Sequence, residues 1–147
     1  VFDEGLGFRY EFPAQTHKYL IVGDELTQFS LADDHKTFWI PGDYDTNEYL
    51  YNTTLLSEID AVTAANQEPD IALKSVIGPD AVQTPLLMKT TNGLYINIHE
   101  AALINYPAMH LNLDKSTFTF QAHLVPDAIG NKAYLENPSR TPWRTIL

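Results

Sequence analysis

An all-β fold, built as one antiparallel β-sandwich over residues 1–147, is what this sequence predicts, and three observations carry the expectation. Short apolar and aromatic runs recur with a period of two. Clusters of Gly, Pro, Asn and Asp separate them, and no stretch before residue 45 shows a long 3.6-residue apolar period. With 147 residues, 44% hydrophobic and 12% aromatic, the chain has enough apolar surface for one core.

The elements follow in order. Phe8-Arg9-Tyr10-Glu11-Phe12 alternates aromatic with charged residues, which places Phe8, Tyr10 and Phe12 on a buried face and Arg9 and Glu11 on the other, before Pro13 ends the strand. Lys18 to Val22, Thr27 to Leu31 and Thr37 to Ile40 read as further short strands, the last closed by Pro41-Gly42-Asp43. Thr46 to Ala65 is mixed: Tyr49-Leu50-Tyr51 looks extended, and Leu55 to Asp60 has room for a helical turn. Asn66 to Val82, with Pro69, Gly78 and Pro79, reads as an excursion joining two sheet layers. Leu86 to Lys89 and Leu94 to His99 flank a glycine turn at Thr90 to Gly93 and form a hairpin. Met109 to Leu113 and Thr117 to Leu124 flank Asp114-Lys115-Ser116 and form another, with Phe118, Phe120, Ala122 and Leu124 on one face.

Nine basic and nineteen acidic residues give a net charge of -10, so nucleic acid and anionic lipid are poor partners and a neutral polar ligand or a cation is easier to accept. The chain has no cysteine, which excludes disulfides, thiolate metal sites and thiol nucleophiles. No run approaches the roughly 20 apolar residues of a membrane span, and Val1-Phe2-Asp3-Glu4-Gly5 is not a secretion signal. Beginning without methionine and ending on the apolar run Trp143-Arg144-Thr145-Ile146-Leu147, the sequence reads as a piece of something longer.

The candidate chemistry centres on His99 and Glu100, two ionisable groups where the strand Leu94 to Ile98 stops. Alternation points them to opposite faces, so only one can enter a shared cleft. The competing reading is that either one satisfies backbone groups of the loop Ala101 to Tyr106. His99, His110 and His123 lack the paired spacing of a zinc site. In the tail, Trp143 and Arg144 suit a sugar, because indole faces stack on sugar rings and guanidinium groups bond hydroxyls; the alternative is a core plug and a paired arginine. Trp39, Tyr44 and Tyr49 form a second stacking set with the same alternative. There is no phosphate-binding glycine loop, nucleophile elbow or calcium loop.

Asp3-Glu4-Gly5 leading into Phe8-Arg9-Tyr10, then Asn92-Gly93-Leu94-Tyr95, His99-Glu100-Ala101-Ala102-Leu103, Tyr106-Pro107 and Thr141-Pro142-Trp143-Arg144-Thr145, occur in that order. Together they resemble the N-terminal domain of glycoside hydrolase family 97, over nearly the whole chain and most specifically in its second half. The resemblance implies a sandwich of the galactose mutarotase-like kind, followed in the parent by a (β/α)8 barrel and a C-terminal β domain. It implies hydrolysis of α-glucosides or α-galactosides, with the catalytic acid and base in the barrel. Glu100 is then the glutamate that reaches across to help hold calcium, and the parent is a periplasmic or cell-surface enzyme of a Gram-negative bacterium. Calcium takes about six to eight oxygens and one carboxylate supplies at most two, so Glu100 is part of a site completed elsewhere. The chain alone is expected to be inactive, since no carboxyl pair is committed to glycoside cleavage. Two other readings stay open: a stand-alone carbohydrate-binding module stacking sugars on Trp39, Tyr44 or Trp143, and a structural sandwich whose open edges invite a second copy.

Overall fold

The computed structural model describes all 147 residues, Val1–Leu147. In chain order the strands are β1 (Leu6–Phe8), β2 (Glu11–Phe12), β3 (Tyr19–Val22), β4 (Gln28–Ser30), β5 (Lys36–Trp39), β6 (Asn52–Leu55) and β7 (Ala81–Gln83). They continue with β8 (Leu86–Lys89), β9 (Tyr95–Ala101), β10 (Met109–Asp114), β11 (Thr119–Leu124), β12 (Ala133–Glu136), β13 (Ser139–Arg140) and β14 (Trp143–Ile146). A six-stranded sheet runs β1-β14-β9-β8-β5-β6 and a four-stranded sheet β4-β11-β10-β7; β12 with β3 and β13 with β2 form two small ribbons. Every pairing is antiparallel. The fold is the all-β sandwich that the alternating runs predict.

The core lies between the two larger sheets. Met109, Leu111 and Leu113 of β10 and Phe120, Ala122 and Leu124 of β11 face Trp39, Leu86, Met88 and Ile98 of the six-stranded sheet. Successive inward residues are two apart, as the pleat requires. The connection from β6 to β7 carries a 3-10 turn (Leu56–Glu58) and a short helix α1 (Ala61–Asn66), and it joins one sheet to the other as expected of that excursion. Asp60 caps α1, its carboxylate accepting Thr63 N–H at 3.0 Å.

Several boundaries differ from the sequence reading, each for a local reason. The Phe8 to Phe12 strand is split: β1 pairs with β14, whereas β2 pairs with β13, and Tyr10 between them is exposed rather than buried. The strand expected from Thr117 begins at Thr119, because Phe118 sits at φ 48° in the hairpin turn. The strand through His99 does not stop there; β9 runs on to Ala101, and left-handed Ala102 at φ 57° then turns the chain. Pro41-Gly42-Asp43 is more than a strand terminator. There the chain changes sheets: Pro41 bridges Val82, and Gly42 N–H donates to the Ala81 carbonyl at 2.8 Å.

Candidate functional site

Three inward-facing series end in a charge at the same end of the sandwich. Along the approach to β4 these are Glu25, Thr27 and Phe29; along β9, Ile96, Ile98 and Glu100; along β14, Ile146 and then Arg144. Since β14 lies beside β9 with Arg144 directly opposite Glu100, cross-strand register alone brings those two together. Glu25 arrives from the other sheet. The Arg144 guanidinium, 0% exposed, donates from Nε to Glu25 Oε1 at 2.8 Å, from Nη2 to Glu25 Oε2 at 2.7 Å and from Nη1 to Glu100 Oε2 at 2.9 Å. The remaining Glu100 oxygen accepts Met109 N–H at 3.0 Å.

Around this cluster the polar groups are chained. Thr27 Oγ1 donates to Glu25 Oε1 at 2.9 Å, Tyr106 Oη donates to Glu25 Oε2 at 3.2 Å, and Tyr10 Oη lies 2.9 Å from Thr27 Oγ1. Burial by itself pushes the Glu25 carboxyl up, but the hydrogen bonds and charge of Arg144, helped by Thr27 and Tyr106, outweigh it and hold the group below the usual carboxylate range. Burial lowers Arg144, and the two carboxylates more than reverse this, so it stays charged. The Tyr106 hydroxyl is pushed up, by burial first and then by the Glu25 charge, and stays protonated. Outside the cluster opens a hollow of about 430 Å³ lined by Tyr10, Phe12, Leu26, Glu25 and Tyr106 among others.

The sequence-predicted site residues part company here. Glu100 and Arg144 meet, but inside the sandwich: Glu100 is 8% exposed and faces the core, not open solvent. His99 lies on the opposite face of β9, as alternation requires. Arg144 is the paired arginine of the alternative reading, because a guanidinium buried between two carboxylates offers no donor to a sugar at this chain's surface. Trp143 is half-buried on the outer face of β14, with the Arg9 guanidinium 4.5 Å from the ring centroid, so one stacking position is already taken. Trp39 is a core residue, 2% exposed, donating to Thr54 Oγ1 at 2.9 Å. Tyr49 is buried and donates to Asp43 Oδ2 at 2.8 Å. Tyr44 stacks on His123 at 5.8 Å, its hydroxyl 2.6 Å from His123 Nε2. His110 and His123 are cross-strand partners, but His99 belongs to the other sheet, so no three-histidine set exists.

For calcium the fit is that of a single donor. A carboxylate has about four lone-pair positions, and Glu100 uses two of them, so it retains capacity toward an ion. The adjacent Arg144 charge opposes a cation unless further anionic ligands come from outside the chain, and no group of three His, Asp or Glu side chains stands ready to hold a metal. Glu25, Thr27, Tyr10 and Tyr106 were missed in the sequence. The signal for Glu25 was present: it sits four residues before Phe29, on the inward face of an alternating run.

Comparison with solved structures defines the class. The chain matches a glycoside hydrolase family 97 enzyme of Pseudoalteromonas sp. strain K8 in complex with acarbose, at 36% identity and a TM-score of 0.76, over 99% of this chain and 19% of that one. It matches a variant of that enzyme in complex with panose equally well, at 36% identity and a TM-score of 0.76. A β-arabinopyranosidase shares the fold at 20% identity and a TM-score of 0.71, with 99% of this chain and 23% of that one covered. The protein is thus a β-sandwich domain of the glycoside hydrolase class, spanning about a fifth of the length of the enzymes it matches. More narrowly, the family described as glycosyl-hydrolase 97 N-terminal matches residues 1–147, and the chain belongs to it.

Proposed function

We propose that this chain is a non-catalytic part of an enzyme that hydrolyses α-linked glucosides or galactosides, supporting a catalytic barrel that lies elsewhere in the parent. The observation that carries the proposal is the family match over the whole chain, against a coverage of only 19% of the whole enzymes. The acarbose and panose bound by the relatives support an oligosaccharide substrate. The chemistry of this chain is compatible with the division of labour. Its three buried carboxylates are all engaged within the chain, Glu25 and Glu100 by Arg144 and Asp43 by the Tyr49 hydroxyl and the Ser75 N–H.

Within that enzyme Glu100 contributes one carboxylate to calcium, with Arg144 and the Met109 N–H fixing its orientation and the other ligands coming from the barrel. Bound calcium supplies a fixed positive charge beside the substrate. A second reading is favoured by the burial of Glu100: it serves only as a counter-ion of Arg144. Replacing Glu100 with glutamine in the full-length enzyme separates the two, since the metal reading predicts altered calcium dependence and the counter-ion reading predicts altered stability alone. Secretion to the periplasm or cell surface of a Gram-negative bacterium belongs to the same proposal by resemblance.

The parent is expected to hydrolyse a nitrophenyl α-glucoside or α-galactoside, and this chain by itself neither. Absence of hydrolysis by the parent on both would overturn the reading. Turnover by the chain alone would move catalysis into the sandwich.

A further inference from the structure

The outward face of the four-stranded sheet is built almost wholly of neutral hydrogen-bonding groups. Reading across the strands, one row is Asn112, Gln121 and Gln28, and the next is Asp114, Thr119 and Ser30. These residues line a shallow concavity of about 390 Å³. No lysine or arginine lines it, and Asp114 is its only charge. That carboxylate is occupied by Ser116 N–H at 2.9 Å and by the Ser116 and Thr117 hydroxyls at 2.6 and 3.0 Å.

The rows are pre-ordered. Gln28 Nε2 donates to Gln121 Oε1 at 3.1 Å, and Ser30 Oγ lies 3.0 Å from Thr119 Oγ1. Gln121 Nε2 is steadied by the Thr27 carbonyl at 3.2 Å. Side chains already held in place lose little rotamer entropy when a ligand arrives. Gln28 and Asn112 are exposed, so the Asn112 amide and the unpaired part of the Gln28 amide face the concavity with spare donors and acceptors.

We propose that this face is a secondary, non-catalytic binding surface for a neutral α-glucan chain. Planar amides and hydroxyls at strand spacing match the alternating donors and acceptors of sugar hydroxyls. A chain of net charge -10 repels an anionic polymer, and a face without cationic groups offers an anion nothing to bind. Leu113, itself buried, is the one apolar residue in the lining of the concavity, so a protein partner finds no apolar or aromatic anchor there. The choice of an α-linked glucan rests on the proposed function, whereas the surface itself rests on the two rows.

The test is affinity electrophoresis of the full-length protein in native gels cast with and without soluble starch, beside the double variant Asn112→Ala, Gln28→Ala. Both positions are exposed, so folding should survive, and thermal unfolding of the double variant checks this. The parent should be retarded by starch, and the double variant should show an apparent dissociation constant about tenfold weaker, the loss expected from two or so neutral hydrogen bonds. Hydrolysis of a nitrophenyl α-glycoside should be unchanged, which separates failure of this surface from failure of the glycosidase reading. Equal retardation of both proteins, or none of the parent, overturns the proposal. So does a parent dimer in light scattering that the double variant abolishes, since the occupant would then be a second copy.

Discussion

At Arg144 the energetics are decided by what burial removes. A guanidinium cannot shed its charge, so inside the sandwich it must be matched, and Glu25 and Glu100 match it with three charge-assisted hydrogen bonds. Arg144→Ala leaves two carboxylates buried without a counter-charge and should cost about 4 kcal/mol, read as a lowered urea midpoint at unchanged slope. Arg144→Lys should recover only part of this, because one ammonium cannot serve the fork of Glu25 and Glu100 together. Histidine chemistry adds a pH dependence. Burial, chiefly, lowers His110 to about 4 from 6.5, while the unfolded chain keeps the ordinary value. The group therefore contributes its full stability above pH 6.5 and loses it as pH falls toward 4, by roughly 3 kcal/mol in all. Glu25 adds to the loss at the acid end, since its folded-state carboxyl lies below 4.5 and it contributes only above that range. Urea midpoints measured from pH 7 to pH 4 should fall, and His110→Gln should flatten the upper part of the fall. A flat profile in the unmodified protein would show that His110 takes up its proton without cost.

At the scale of elements, period-two patterning placed most strands because burial enforces it: β8, β9, β10 and β11 carry the core, and their inward residues are those the alternation selects. Patterning failed where tertiary pairing overrides local sequence. Phe8 to Phe12 alternates as one strand, yet its two ends find different partners, and nothing in those five residues encodes that break. The site was legible in part for the same reason. Glu100 stands out on an alternating strand, and its direction follows from Ile96 and Ile98 on the inner face, which turns it inward to Arg144 and the Met109 N–H. Glu25 and Tyr106 come to Arg144 from distant segments, and sequence has no local signal for that meeting. The sheet change at Gly42 is another such long-range feature. A methyl group there would stand 2.9 Å from both the carbonyl carbon and the Cβ of Ala81, so Gly42→Ala should push the crossing segment off β7. The expected cost is about 1–3 kcal/mol, measured by thermal unfolding.

For the whole molecule, the cluster of Glu25, Arg144 and Glu100 ties the two sheets together at one end. That arrangement suits a domain whose chemistry is completed by the rest of its parent. It holds Glu100 rigidly, and it opens toward the hollow at Tyr10, Phe12 and Tyr106. If this carboxylate serves the larger enzyme, its loss must be felt at the calcium site. Calcium should be titrated into the metal-depleted full-length protein and into its Glu100→Gln variant, with turnover as the signal and thermal midpoints alongside. Half-activation is expected at a calcium concentration at least about tenfold higher in the variant, because one charged ligand has been made neutral. An unchanged calcium requirement and unchanged turnover, with only the midpoint lowered, would contradict it and leave Glu100 as the counter-ion of Arg144.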